Sequence, residues 1–180
     1  MAGIITRLGT PTAAALGLGL TASGYFTFGN YGAACFGIMP AIVPGRDSVR
    51  LEAGKAVELW AFFYEKAAVH FSTASLTAAT SYFAAGYLYA GPARHVKGML
   101  FGAGAVILSI LPWTVILMLP INKELLATRD SVRSGSGREL TIDEAEASWG
   151  RLGAWNRLHI YRMLCGAASY AVGLAALLQV

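Results

Sequence analysis

Four apolar runs, each long enough to cross a hydrocarbon core, alternate along this chain with short polar stretches. A membrane helix needs about 20 apolar residues, and the first run, "PTAAALGLGLTASGYFTFGNYGAACFGIM", covers Pro11 to Met39 and stops at Pro40 and Pro44. It is rich in Gly, Ala, Ser and Thr, which let helices approach closely in lipid, so it reads as a buried helix of a bundle. The leading "MAGIITRLG" is short for a signal n-region and the run is long for a cleaved signal, so the segment is expected to be retained. The second run, Gly54 to Ala90, would measure about 55 Å as one helix. Its first part, "GKAVELWAFFYEKAAVHF", carries Lys55, Glu58, Glu65, Lys66 and His70 and must project, leaving 68–90 as the span. The third run, Gly98 to Pro120, contains Pro112, which removes a backbone hydrogen bond and predicts a kink. The fourth extends from Leu158 to Val180.

Between the third and fourth runs lies the one sizeable polar stretch, 122–157. "RSGSGRE" at 133–139 reads as a flexible linker. "TIDE" at 141–144 has the Thr-x-x-Glu spacing of a capping box, in which each side chain satisfies a backbone N–H at a helix start. A helix is therefore predicted from near Thr141, running with slight interruption at Gly150 and Gly153 into the fourth span. The fold class that results is all-α: an integral-membrane four-helix bundle, one domain over residues 1–180, with an extramembrane helical extension between spans three and four.

Composition agrees with this pattern. The chain has 180 residues, 56% hydrophobic and 13% charged, against roughly 25% charged in soluble domains. The net charge of +4 comes from basic residues flanking apolar runs rather than from a basic, aromatic-interleaved surface, so nucleic acid is not an expected partner. Cys35 and Cys165 both sit inside apolar runs and indicate neither a disulfide framework nor a metal site. Arg46, Arg50, Lys55, Lys66, Lys123, Arg129, Arg133, Arg138, Arg151 and Arg157 flank one membrane face, against Arg7, Arg94 and Lys97 on the other. The positive-inside rule then puts 40–55 and 122–157 on the cytosolic side of a multi-pass membrane protein, in an endomembrane if the cell is eukaryotic.

Four antiparallel spans would bring the chain's polar groups together on that same face. Glu58, Tyr64, Glu65 and His70 begin span two, Asn122 follows span three, and Trp155, His159 and Arg162 open span four; Asn30 and Tyr31 lie deeper on span one. Trp155, His159 and Arg162 stand at i, i+4 and i+7, one stripe of a helix, while Arg157 lies on another side and reaches headgroups. Each group also has a plainer reading. Arg162 and His159 can snorkel to the interface as anchors, Glu58 and Glu65 can pair with Lys55 or Lys66, His70 can be a packing histidine, and Asn122 can cap span three. A polar cluster inside a membrane is nonetheless a site hypothesis by default. No Walker loop, dinucleotide fingerprint, nucleophile elbow or HExxH is present. A metal site of His70, His159 and Glu58 is conceivable but not indicated by their spacing, and a bound metal stays open as an alternative.

At "PWTVILMLPINKELL" (112–126) and "WGRLGAWNRLHIYR" (149–162) the chain resembles the anthrone oxygenase family of small four-helix membrane proteins. The shared pattern is Pro-x-Asn-x-x-Leu after the third span, then Trp, then Leu-His-x-x-Arg opening the fourth. Here it falls on Pro120, Asn122, Leu125, Trp149 or Trp155, Leu158, His159 and Arg162. The likeness implies oxidation of an anthrone-type aromatic polyketide to an anthraquinone, with O2 as co-substrate and no resident cofactor. His159 would serve as base, because an ordinary imidazole titrates near pH 6.5, with Arg162 and Asn122 on the carbonyl oxygen and Glu58 and His70 as alternative bases. Trp113, Trp155 and Tyr31 would stack on the flat substrate, with Asn30 and Tyr64 beside them. The partners implied are a lipophilic aromatic small molecule, membrane lipid and, where the protein self-associates, a second copy. A non-catalytic tetraspan scaffold and a carrier for a lipophilic metabolite fit the same residues without chemistry.

Overall fold

A computed structural model of the protein describes residues 7–43, 51–135 and 139–179, and among them every regular element is helical. The elements are α1 (Thr10–Cys35), α2 (Met39–Ile42), α3 (Ala53–Leu88), α4 (Arg94–Leu108), α5 (Ile110–Trp113), a π-helical turn (Thr114–Met118), α6 (Leu119–Ser134) and α7 (Ile142–Leu178). Pro44, Arg46, Arg50 and Arg138, named above for helix ending and charge asymmetry, lie outside the described residues, as does Val180.

Two helical runs are long and apolar enough to cross a membrane by length and composition, Arg94–Ser134 and Ile142–Leu178. Two boundaries differ from the sequence reading. The first run ends at Cys35 rather than Met39, because Gly37 turns the chain back with its N–H on the Gly32 carbonyl at 3.0 Å, the six-residue closure of a helix C-terminus. The third does not end at Pro120. In an unbroken α-helix that proline would leave the Ile116 carbonyl without a donor and press its ring against it. The wider turn just before it opens the ladder, the Leu119 N–H bonding back five residues to the Thr114 carbonyl, and the helix then runs on to Ser134. Asn122 therefore lies within a helix, not at its cap. The Thr141 box forms as expected: Thr141 N–H donates to Glu144 Oε2 at 2.9 Å and Glu144 N–H to Thr141 Oγ1 at 3.4 Å. The slight interruption expected at Gly150 and Gly153 does not occur, and α7 continues unbroken past both.

The chain divides into two compact units. One comprises Met1–Gly29, His70–Leu111 and Arg162–Val180; the other comprises Asn30–Val69 and Pro112–Tyr161. Charge divides with them, since all ten acidic residues fall in the second and only Arg7, Arg94, Lys97 and Arg162 of the basic ones fall in the first.

Small residues and internal hydroxyl bonds hold the apolar unit together. Thr21 and Thr80 donate back to the carbonyls of Gly17 and Leu76 at 2.8 and 2.9 Å, removing exposed polar atoms from an apolar setting. Ser169 donates to the Ala103 carbonyl at 2.8 Å and ties α7 to α4. Tyr82 of α3 is fully buried, its hydroxyl 2.7 Å from Ser23 Oγ of α1. Its ring fills the space that Gly19 and Gly173 leave open. Phe26 packs edge-on against Phe71 at 5.7 Å between ring centroids, and Phe28 against Tyr170 at 5.5 Å.

Candidate functional site

In the charged unit, two aromatic pairs, each at i and i+4, provide the frame of a site. Residues four apart share a helix face, and Trp60 stacks on Tyr64 along α3 with centroids 5.0 Å apart and planes 7° apart. Along α7, Trp155 stacks in the same way on His159, at 4.8 Å and 12°. The pairs meet edge-to-face where Trp60 approaches Trp155, at 6.0 Å and 83°, the geometry that ring quadrupoles favour. The result is a ladder of Tyr64, Trp60, Trp155 and His159. Trp60 is 0% exposed, His159 2% and Trp155 3%, so the imidazole is held inside the protein with its orientation set by a neighbouring indole.

Polar atoms in this unit are buried beyond what the protein itself satisfies. Asn122 is 2% exposed. The indole nitrogens of Trp60 and Trp155 and the amide oxygen of Asn122 have no hydrogen-bond partner among the described residues. Leaving such a group unmatched costs about 1–3 kcal/mol, and native interiors match nearly all of theirs. Two donors and an acceptor therefore stand ready for a ligand or water. Trp113, by contrast, is committed internally: its N–H donates to the Leu158 carbonyl at 3.2 Å and its ring stacks on Tyr161 at 3.9 Å.

Ion pairs brace the outer faces of the same helices. Arg129, with a side chain only 12% exposed, joins Glu65 at 2.7 Å and Asp130 at 2.6 Å. Glu58 meets Lys55 at 3.1 Å and Arg133 at 3.6 Å, and Arg151 meets Glu124 at 2.6 Å. The hydrogen bond from Lys55 holds the Glu58 carboxyl below its ordinary range, and that from Arg129 does the same for Glu65. Glu58 is thus a braced carboxylate and a poor proton acceptor. Groups whose folded pKa is depressed stabilise the fold above their unfolded pKa and lose that contribution as pH falls through the folded value. Glu65→Gln should accordingly melt below the wild type at neutral pH; the difference should begin to shrink as the pH drops past the ordinary glutamate value of about 4.3 and vanish only below the lowered folded value. A difference that persists into acid would show that Glu65 acts by packing instead.

A cleft of about 610 Å³ opens among Glu52, Lys55, Glu58, Arg133, Leu140 and Trp149. Its charged lining suits water or headgroups, and no member of the aromatic ladder borders it.

Of the residues singled out from sequence, Asn30, Tyr31, Glu58, Tyr64, Trp113, Asn122, Trp155 and His159 all fall in the charged unit. His70 and Arg162 fall in the apolar one, where His70 is exposed and the Arg162 guanidinium lies 5.9 Å over the Phe26 ring. Tyr31 is 55% exposed and faces Phe36 edge-on rather than joining the ladder. Among the described residues no three His, Cys, Asp or Glu side chains are grouped to hold a metal ion. Sequence reasoning missed Trp60. The available signal was its four-residue spacing to Tyr64 in "ELWAFFYEK", which mirrors Trp155 and His159.

A family model described as Anthrone oxygenase matches residues 60–172. That stretch begins at Trp60 and contains the whole ladder together with Asn122. No curated protein and no solved structure matches the chain.

Proposed function

Because this chain belongs to the anthrone oxygenase family, we propose that it oxidises an anthrone-type aromatic polyketide to the corresponding anthraquinone, with His159 as the base. The observation that carries the reading is the buried Trp155–His159 stack in a unit that also buries the Asn122 amide. A proton acceptor fixed against a flat aromatic face suits abstraction from a flat aromatic substrate.

The chemistry balances with O2 alone. The central methylene of an anthrone is acidic because its conjugate base is an aromatic phenolate. His159 takes that proton, the electron-rich anion transfers an electron to O2, and the two radicals combine into a carbon-bound peroxide. The peroxide O–O bond breaks as the second methylene hydrogen leaves, giving the ketone and one water. One oxygen atom ends in the quinone and the other in water, so no external reductant is consumed and no resident cofactor is required by this route. Trp155 holds the imidazole by stacking on it, and the Asn122 amide oxygen accepts from a phenolic hydroxyl.

We further place the protein in a membrane as a four-helix, multi-pass chain, with 40–55 and 122–157 on the cytosolic side. Support comes from the two apolar helical runs and from the confinement of every acidic residue to one unit. A greasy tricycle and O2 both partition into lipid, so the setting concentrates both substrates.

The test is anthrone oxidation by the detergent-purified protein, followed as quinone absorbance with O2 uptake. Consumption of one O2 per quinone, above both the spontaneous rate and a heat-inactivated control, is expected. A rate equal to background would remove anthrones as the substrate class.

A further inference from the structure

We infer that the indole N–H groups of Trp60 and Trp155 are hydrogen-bond donors to the ring oxygen of a planar aromatic ketone, making Trp60 a substrate-binding residue. This rests on the oxygenase reading for the identity of the ligand but on separate observations for the donors. Both indoles are at least 97% buried, and both nitrogens lack a partner among the described residues. An indole nitrogen can donate and cannot accept, so neither group can be satisfied by another donor. Each needs an acceptor, and buried tryptophans ordinarily find one, as Trp113 does at the Leu158 carbonyl; a ketone oxygen is the acceptor that an aromatic substrate of this class brings.

The two indoles sit in contact, 6.0 Å between centroids, and one of them carries the stacked His159. Donors next to a base in a water-poor interior match what proton abstraction from an anthrone requires. As the methylene loses its proton, the negative charge moves to the ketone oxygen across the ring. Donors that meet that oxygen would gain strength in the transition state, which is the condition for accelerating the step rather than merely tightening binding. Asn122, offering an acceptor instead, complements a hydroxyl on the same ring system. Trp60 and Trp155 thus select flat tricycles that carry ring oxygens over flat tricycles that do not.

The test compares anthraquinone with anthracene, the same flat tricycle with and without ring oxygens, by equilibrium dialysis against the full-length protein in detergent. Partition into micelles cancels when each variant is divided by the wild type for the same ligand. The wild type should prefer anthraquinone beyond the preference of detergent alone. Trp60→Phe and Trp155→Phe should each weaken anthraquinone by about tenfold and leave anthracene unchanged; on the same samples kcat for anthrone should fall by about 10²-fold, the usual loss for one oxyanion donor. Equal losses for both ligands, or no loss, overturns the donor role. So does a wild type without preference for the oxygenated ring, which needs no variant to fold. Oxygen-dependent binding without turnover would keep the donors and discard the oxygenase reading; turnover with unaltered anthraquinone affinity in both variants would do the reverse.

Discussion

His159→Phe lowers anthrone oxidation by about 10²–10⁴-fold, the range that a positioned general base contributes, while the protein stays folded. Phenylalanine is the informative replacement because the imidazole is 2% exposed and stacked on Trp155 at 4.8 Å. A flat ring keeps that stack, whereas alanine would add a cavity to the loss of the base. Unchanged turnover in a folded His159→Phe protein would mean that the proton goes elsewhere. Neither Glu58, held as a carboxylate by Lys55 and Arg133, nor His70, exposed in the apolar unit, is as well placed to take it.

The second large effect is structural. Gly173→Leu should prevent recovery of folded protein, and Gly173→Ala should lower its melting temperature markedly. A Cβ at Gly173 would lie 2.7 Å from both Cε1 and Cζ of Tyr82, inside any van der Waals contact. Tyr82 cannot yield, because it is 0% exposed, its hydroxyl is bonded to Ser23, and a Cβ at Gly19 would meet its ring from another side at 3.0 Å. Overpacking a filled core costs about 1–3 kcal/mol for small additions and more when neighbours are pinned. Tyr82→Leu should restore much of the loss in the Gly173→Ala background while being destabilising alone. Two independent losses that simply add would show that the glycine and the tyrosine do not share this space.

These two cases show what the sequence could and could not disclose. Helix identity was legible where pattern is local: the Thr141–Glu144 cap and the single long helix over 53–88 both follow from near-neighbour chemistry, whereas the interruption expected at Gly150 and Gly153 does not occur, since two glycines only weaken a helix that packing can hold. The i, i+4 spacing of Trp155 and His159 likewise fixed their shared face. Arg162, at i+7 on the same stripe, falls in the apolar unit with its guanidinium over the Phe26 ring, a neighbour that helix spacing alone does not disclose. Trp60 was lost among the aromatics of "ELWAFFYEK", because burial depends on what a second helix brings against it. The Tyr82 socket is formed by glycines at 19 and 173, and no one-dimensional pattern links positions so far apart. Pro120 misled for a different reason: proline forbids one hydrogen-bond register, and the backbone answered by changing register instead of stopping.

That change fixes a phase. A π turn spends one residue more than an α turn, so everything after Met118 is rotated by about 100° from where uninterrupted winding would carry it. Asn122 and Leu125 face inward under this offset; without it the amide would lie about a quarter-turn round the axis. Which way Asn122 looks is therefore encoded in how many residues separate Pro112 from Pro120, and not in what those residues are. The stretch tolerates exchange of one apolar side chain for another, but it counts.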